Sequence, residues 1–423
     1  MVCGNCKEEF DQITRKVEEL VDRIKELERK LAQYENANIP SSKIRFPPRI
    51  INLDKKKPGQ KEGHDGMTRA KPVPTMSIEL IEEKCQHCKS KLGKPFKTIS
   101  KIIEEIPEPQ PITVTEYKIN HYKCSRCNNE IIAQSPFPEQ SNFGANTLAH
   151  ATLLKFDDRL PLKKVCSALK RQFNLDVSSA TVFDITRRVS DKLEIEYNSI
   201  KLSLRKSKSV NIDETGFRVG GLNFHLWVFT NENITLYVIR KSRGKNVIEE
   251  VLGKNYKGVI GSDGWASYSS YTDKIQRLQR CWAHLLREAK YLASEHISAR
   301  SLYEGLKKIY EKATSKKPPS KDELITEMRQ WIDYAECYKE LRKFAITIGN
   351  GIEYWFTFLD YKNVEPTNNR AERALREMVV QRKIIGTLRN EKGTTIMERI
   401  ISCIATWKQR GLNPFYELKA NLC

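Results

Sequence analysis

No apolar run in this 423-residue sequence approaches the roughly 18 residues of a membrane-spanning helix, so no membrane span is expected. The opening residues, Met1-Val2-Cys3-Gly4-Asn5-Cys6-Lys7-Glu8-Glu9, lack the apolar core of a secretory leader, and export is not expected. Acid is scarce too: 53 Asp and Glu stand against 73 Lys and Arg, a formal charge of +20. That surplus fits a polyanionic partner better than a small metabolite. Nor do the 11 cysteines make the even set of a disulfide-stapled domain. Six stand in C-x-x-C pairs (Cys3/Cys6, Cys85/Cys88, Cys124/Cys127), while Cys166, Cys281, Cys337, Cys403 and Cys423 are scattered. Paired thiols in a long basic chain point to metal in a reducing compartment.

What is present begins with a heptad seam over residues 10–34. Phe10, Val17, Ile24 and Leu31 hold the a positions, and Ile13, Leu20, Leu27 and Tyr34 the d positions. β-Branched a with Leu d favours a parallel dimer, in which Arg23 and Lys30 would face the partner's Glu28 and Glu35. A coiled coil is expected over 1–38, against the alternative of an amphipathic helix packed on its own domain. Residues 39–78 read as a basic linker with Pro40, Pro47, Pro48, Pro58, Pro72 and Pro74. Such a stretch suits DNA phosphates and a solvated spacer equally.

Residues 79–135 hold Cys85-Gln86-His87-Cys88 and Cys124-Ser125-Arg126-Cys127, and Ile112 to Tyr122 alternates apolar and polar like a strand. Two thiolate pairs joined by a hairpin make a zinc ribbon, so Cys85, Cys88, Cys124 and Cys127 are expected to hold a structural Zn²⁺. Cys3/Cys6 has no second pair nearby and needs a partner chain to hold metal. Residues 136–205 read as helices: one from Pro161 to Phe173, a turn at Asn174–Val177, then Ala180 to Asp191 capped by Ser178 or Ser179. This is a helix-turn-helix-like DNA-binding region carrying Arg187 and Arg188, or else a plain helical bundle.

Over 206–390 the texture changes. Val210–Asp213, Asn223–Thr230 and Ile234–Arg240 read as strands, Lys245–Leu252 as a helix and Gly258–Gly261 as a fourth strand. That order is the order of a ribonuclease-H-like α/β domain, and the expected fold class is multidomain α+β. The long interval before the next helix, residues 366–385, reads as a helical insertion at about 288–355, and 391–423 reads as a helical tail.

Asp213 interrupts an apolar strand, where an unpaired charge is costly. Asp263 follows the fourth strand, and Glu372 lies on a helix beginning near Asn368. Three such carboxylates suit Mg²⁺ or Mn²⁺, and two ions about 4 Å apart can cut and rejoin a phosphodiester. Glu365, just before Pro366, is the competing third ligand. The plainer alternatives are an i,i+4 ion pair of Glu372 with Arg376 and a turn cap at Asp213. Arg373, Arg376, Arg382 and Lys383 lie beside Glu372 and are the candidates for DNA phosphates.

Five strings resemble transposases of the insertion sequence 66 family, in order and in spacing. They are Asp213-Glu214-Thr215; Ser262-Asp263-Gly264-Trp265 with Tyr268; Cys281-Trp282-Ala283-His284 with Arg287; Asn368 through Arg376 with Arg382-Lys383; and Gly411-Leu412-Asn413-Pro414. The heptads, the Lys57-Pro58-Gly59 and Gly63-His64-Asp65-Gly66 linker segments and the cysteine knuckles resemble the family's N-terminal half. The resemblance implies a DDE transposase with a ribonuclease-H-like core and Asp213, Asp263 and Glu372 as its metal-binding catalytic triad. His284 is then placed at the scissile phosphate, at a metal, or as a hydrogen-bonded core histidine. Terminal inverted repeats and target DNA become the partners, with accessory proteins of the same element as further ones. The protein is expected to be cytoplasmic and nucleoid-associated, and dimeric or higher through the coiled coil. A zinc-dependent DNA-binding regulator with an inactive nuclease-like domain is the alternative.

Overall fold

The computed structural model describes residues 16, 17, 19–24, 26, 27, 70, 72–133, 141–263 and 277–422. The chain divides into two compact units, Met1–Glu105 and Ile106–Cys423, with a boundary inside the span expected for the ribbon.

In the first unit the described residues between 16 and 27 are helical. Val17, Leu20, Ile24 and Leu27 of the seam are exposed by 52, 56, 54 and 56%. The other seam residues, the Cys3/Cys6 pair and the linker segments named above lie outside the described residues. Around the first knuckle, Cys85 N–H donates to Ser90 O and Lys89 N–H to Cys85 O, both at 2.9 Å, and Lys89 is left-handed at φ 61°.

The second unit opens with the other knuckle, between β1 (His121–Lys123) and β2 (Glu130–Ile132), which pair antiparallel. Cys124 N–H donates to Asn129 O at 2.9 Å, Asn128 N–H to Cys124 O at 2.8 Å, and Asn128 has φ 62°. The two C-x-x-C turns thus share one local geometry. The strand expected over Ile112–Tyr122 shrinks to His121–Lys123. Residues 112–120 have no partner strand among the described residues, and alternation without a neighbour makes no ladder.

Four helices follow: α1 (Ala145–Phe156), α2 (Leu162–Phe173), α3 (Ser179–Lys192) and α4 (Glu194–Arg205). Asn174, left-handed at φ 52°, ends α2, and the Ser178 hydroxyl accepts Thr181 N–H to start α3. Leu148, Leu169, Val182 and Val189 bury their apolar stripes in the same core as one face of the sheet.

That sheet is mixed. β3 (Ser209–Val219), β4 (Leu222–Thr230) and β5 (Thr235–Arg240) run antiparallel; α5 (Lys245–Leu252) then leads to β6 (Val259–Ser262), and β7 (Leu278–Arg280) follows. The strand order is β5-β4-β3-β6-β7, with β6 parallel to β3 and β7 parallel to β6. This is the element order expected from the sequence. Val210 and Ile212 face the helical core of α1–α5, whereas Phe217 and Val219 face Ala371, Leu375 and Met378 of α11.

The expected insertion forms α6 (Trp282–Glu295), α7 (Ser298–Ala313), α8 (Lys321–Glu336) and α9 (Arg342–Gly349). These enclose a core of their own around Trp282, Leu306, Met328 and Trp355. The chain returns through a 3-10 turn and α10 (Thr357–Asp360) to α11 (Asn369–Ile385), α12 (Glu391–Gln409) and α13 (Pro414–Leu422). Among the described residues no helix is long and apolar enough to cross a membrane.

Expected as part of a tail, α12 instead lies along the open edge of β5. Ile239, Tyr237 and Thr235 donate their backbone N–H groups to Glu398 Oε1 (2.7 Å), Ser402 Oγ (2.9 Å) and Thr406 Oγ1 (3.1 Å). Every fourth residue of the helix meets every second residue of the strand because about 6 Å of helix matches about 6.6 Å of strand. The edge that would otherwise recruit another strand is thereby closed. Ser402→Ala leaves the Tyr237 N–H buried without its acceptor. It should cost about 1–3 kcal/mol, read as a lower urea midpoint at unchanged slope.

Candidate active site

In the parallel pairing of β3 with β6, Asn211 stands opposite Gly261. Asp213 lies two residues further along β3, Asp263 directly after β6, and the charge of Asp263 acts on Asp213. Side chains alternate along a strand, so Asp213 rises on the face shared with Phe217 and Val219, which α11 covers. Glu372 lies in the first turn of α11.

The three charges are felt at Asp213. Its carboxyl is pushed up to about 7, first by burial and then by the charge of Asp263, with Glu214 and Glu372 adding to it. One hydrogen bond opposes the shift, from Glu214 N–H to Asp213 Oδ1 at 2.9 Å. Like charges gathered on a half-dry surface raise a carboxyl in this way, and a cation relieves it.

Glu372 does not take Arg376 as its partner. Its Oε1 lies 3.4 Å from His284 Nδ1 and its Oε2 lies 3.7 Å from Arg287. Glu365 precedes the helix and pairs with Arg370 at 2.5 Å. Asp213 lies inside an 11-residue strand and caps no turn. Trp265 and Tyr268 lie outside the described residues.

Two asparagines join the elements that carry the acids. Asn368, 1% exposed, donates its side-chain amide to Ile212 O at 2.8 Å and accepts from Asn211 Nδ2 at 3.0 Å. Its backbone N–H donates to Cys281 Sγ at 3.1 Å, and its carbonyl accepts Glu372 N–H at 3.1 Å. On the far side of Asn211, a Cβ at Gly261 would stand 2.7 Å from Asn211 Nδ2. Sequence reasoning missed Asn211, Asn368 and Cys281 as site residues, although the first shares with Asp213 the oddity of a polar residue in an apolar strand. It also passed over Glu214, whose side chain is 2% exposed and paired with Arg243 at 2.7 Å.

The residues expected to hold DNA fall into three groups. Arg373, Arg376 and Lys383 are exposed on α11. Arg382 is buried and turned inward, its guanidinium donating to Gly216 O and to Thr215 Oγ1. Arg187 pairs with Asp184 and Asp191, and Arg188 with Asp184. At the knuckles, the Ser90 hydroxyl 3.0 Å from Cys88 Sγ helps bring that thiol down to about 7. The backbone N–H groups of Cys127 and Arg126 lower Cys124.

Carboxylates on and beside two parallel strands and on a crossing helix, in a chain of charge +20, are the arrangement common among nucleic-acid-processing enzymes. The particular kind is a transposase: the family model described as Transposase IS66 family matches residues 140–396, and the chain belongs to that family. Membership makes it a transposase-type DNA-processing enzyme, and the family implies use of a divalent metal. No curated protein matches the chain.

Proposed function

We propose that the protein cuts the ends of its own mobile element and joins the exposed 3′-hydroxyl to target DNA. Asp213, Asp263 and Glu372 are the metal ligands of its ribonuclease-H-like core. The observation that carries this reading is the carboxyl of Asp213, held near 7 by burial and by the neighbouring acids. Bound Mg²⁺ or Mn²⁺ supplies Lewis-acid activation of the attacking oxygen and stabilisation of the leaving one. The protein's part is to fix the acids, two on and beside adjacent strands and one on a pinned helix, and to exclude other geometries. Arg373, Arg376 and Lys383 offer exposed charge to the DNA backbone beside them, and Arg287 and His284 orient the Glu372 carboxylate. No covalent protein intermediate is needed.

The N-terminal half grips the ends in this reading. Cys85 and Cys88, and likewise Cys124 and Cys127, serve as thiolate pairs for zinc, supported by the like turns around the two pairs and by the lowered Cys88 and Cys124 thiols. The segments near them have little apolar core, with Leu80 and Phe96 exposed by 92 and 102%, as in modules that fold around metal. Cys124→Ser should lower bound zinc by about one ion per chain in elemental analysis and weaken end binding by roughly tenfold. The exposed seam from Val17 to Leu27 supports pairing of two chains, one on each end.

The test is plasmid carrying both ends of the element, incubated with purified protein in Mg²⁺ or EDTA. Metal-dependent nicks at the element boundary are expected. Tight end binding without cleavage in either Mg²⁺ or Mn²⁺ would favour the regulator instead.

A further inference from the structure

Glu372 meets a second set of donors. Cys281 Sγ, a ring nitrogen of His284 and a carboxylate oxygen of Glu372 all lie within 4.8 Å of one another. His284 Nδ1 and Glu372 Oε1 are buried atoms, 3.4 Å apart, and neither makes a hydrogen bond. Two desolvated polar atoms in that position are costly, and a shared cation would relieve both.

The sulfur is already dressed as a ligand. Asn368 N–H donates to it at 3.1 Å. Outer hydrogen bonds of this kind orient and tune metal ligands. The frame is rigid as well. Cys281 directly follows β7, His284 sits in the first turn of α6 and Glu372 in the first turn of α11. The Asn368 amide joins α11 to Cys281.

Thiolate, imidazole and carboxylate are the ligands of a borderline-soft ion, not of Mg²⁺, which asks for oxygen in octahedral array. Tetrahedral Zn²⁺, with bonds of about 2.0–2.3 Å, brings its ligand atoms to roughly 3.3–3.6 Å. Here the three donor atoms lie within 4.8 Å of one another, and His284 Nδ1 and Glu372 Oε1 are already 3.4 Å apart.

We propose that Cys281, His284 and Glu372 form a second metal site, selective for Zn²⁺ or an ion of like softness, that takes Glu372 from the catalytic centre and holds the enzyme idle. The proposal rests on Glu372 being the third acid of that centre. The hard ion needs Glu372 together with Asp213 and Asp263; the soft ion needs it together with sulfur and nitrogen. Glu372 Oε1 already faces His284, so a soft ion held there draws the carboxylate toward sulfur and nitrogen and away from Asp213 and Asp263, and the identity of the ion sets the state of the enzyme.

Full-length protein is titrated with Co²⁺, whose thiolate charge-transfer absorption reports sulfur ligation. Wild type should bind about one equivalent more than Cys281→Ser or His284→Gln, because each variant lacks one of three protein ligands. Cys124→Ser, which affects the other thiolate set, should keep that equivalent. His284 is half-buried, so His284→Gln decides the matter should the buried Cys281 position not tolerate serine. In end cleavage with Mg²⁺, added Zn²⁺ should slow wild type by roughly tenfold or more, and Cys281→Ser by less than about twofold relative to its own zinc-free rate. Equal Co²⁺ stoichiometry in wild type and both variants overturns the proposal, as does equal zinc sensitivity. Absence of any Mg²⁺-dependent cleavage overturns the transposition chemistry instead, and the Co²⁺ count then still decides whether the site exists.

Discussion

Asp213→Asn should lower Mg²⁺-dependent cleavage at the element ends by roughly 10³-fold while leaving end binding within about twofold. The amide keeps the shape and the hydrogen bond from Glu214 N–H, but it removes the anion that holds the cation between two strands. The same substitution should stabilise the metal-free protein. In the folded chain the Asp213 carboxyl is pushed up to about 7 from its ordinary 3.8. The fold therefore favours the protonated form. Its stability is fully present below pH 3.8 and is lost as pH rises through about 7. Asparagine carries no such charge. In EDTA the variant should melt above wild type at pH 8, and the gap should close toward pH 4. Mg²⁺ should raise the wild-type melting temperature at pH 8 and leave the variant where it was. Activity and stability moving in opposite directions is what a strained functional acid gives and a structural one does not. Equal melting curves at pH 8, or equal stabilisation of both proteins by Mg²⁺, would remove Asp213 from the metal site.

Much of the scaffold could be read from local pattern, because local pattern is what fixes it. β3 and β4 alternate on two buried faces, α2 ends on a left-handed asparagine, and α3 starts on a serine cap; each signal lies within a few residues of the feature it specifies. Asp213 stood out for the same reason, as an acid among Val and Ile. The rest depends on partners distant in the chain. Ile112–Tyr122 alternates as well as any strand, but alternation measures readiness to pair, and 112–120 find no partner strand among the described residues. α12 reads as an ordinary amphipathic helix; that Glu398, Ser402 and Thr406 fall in step with β5 emerges only when the two lie side by side. Arg382 carries the charge of a DNA contact, yet Gly216 O, 166 residues away, turns it inward. Asn368 and Cys281 have no periodicity to betray them, since their roles consist of bonds to β3 and to one another.

Those bonds make Asn368 the second position of large effect. Asn368→Ala leaves Ile212 O without its side-chain donor and Asn211 Nδ2 with only Thr367 O at 3.5 Å, in a site 1% exposed. At about 1–3 kcal/mol for each buried unsatisfied group, a loss of roughly 2–4 kcal/mol in folding stability is expected. The backbone N–H to Cys281 survives the change, but the first turn of α11 is no longer pinned to β3, and Glu372 loses its register against Asp213 and Asp263. A displacement of about 1 Å at a reacting centre costs about 10²-fold, so cleavage should fall by that order at temperatures where the variant remains folded. Asn368→Asp separates positioning from mere stability. Protonated, the aspartic acid can donate to Ile212 O and accept from Asn211, as the native amide does. Ionised, it points a buried carboxylate at a carbonyl. Burial raises such an acid, so the variant should approach wild-type stability at low pH and lose it as pH rises through its elevated pKa. At a fixed temperature below both melting transitions, its kcat relative to wild type should fall over the same pH range with KM for end DNA nearly unchanged. Asn368→Ala should show no such pH dependence. A parallel loss of kcat in both variants at every pH would mean that Asn368 only holds the fold together, and the placing of Glu372 would then have to come from Trp282 N–H on Pro366 O and the packing of Ala371 and Leu375 alone.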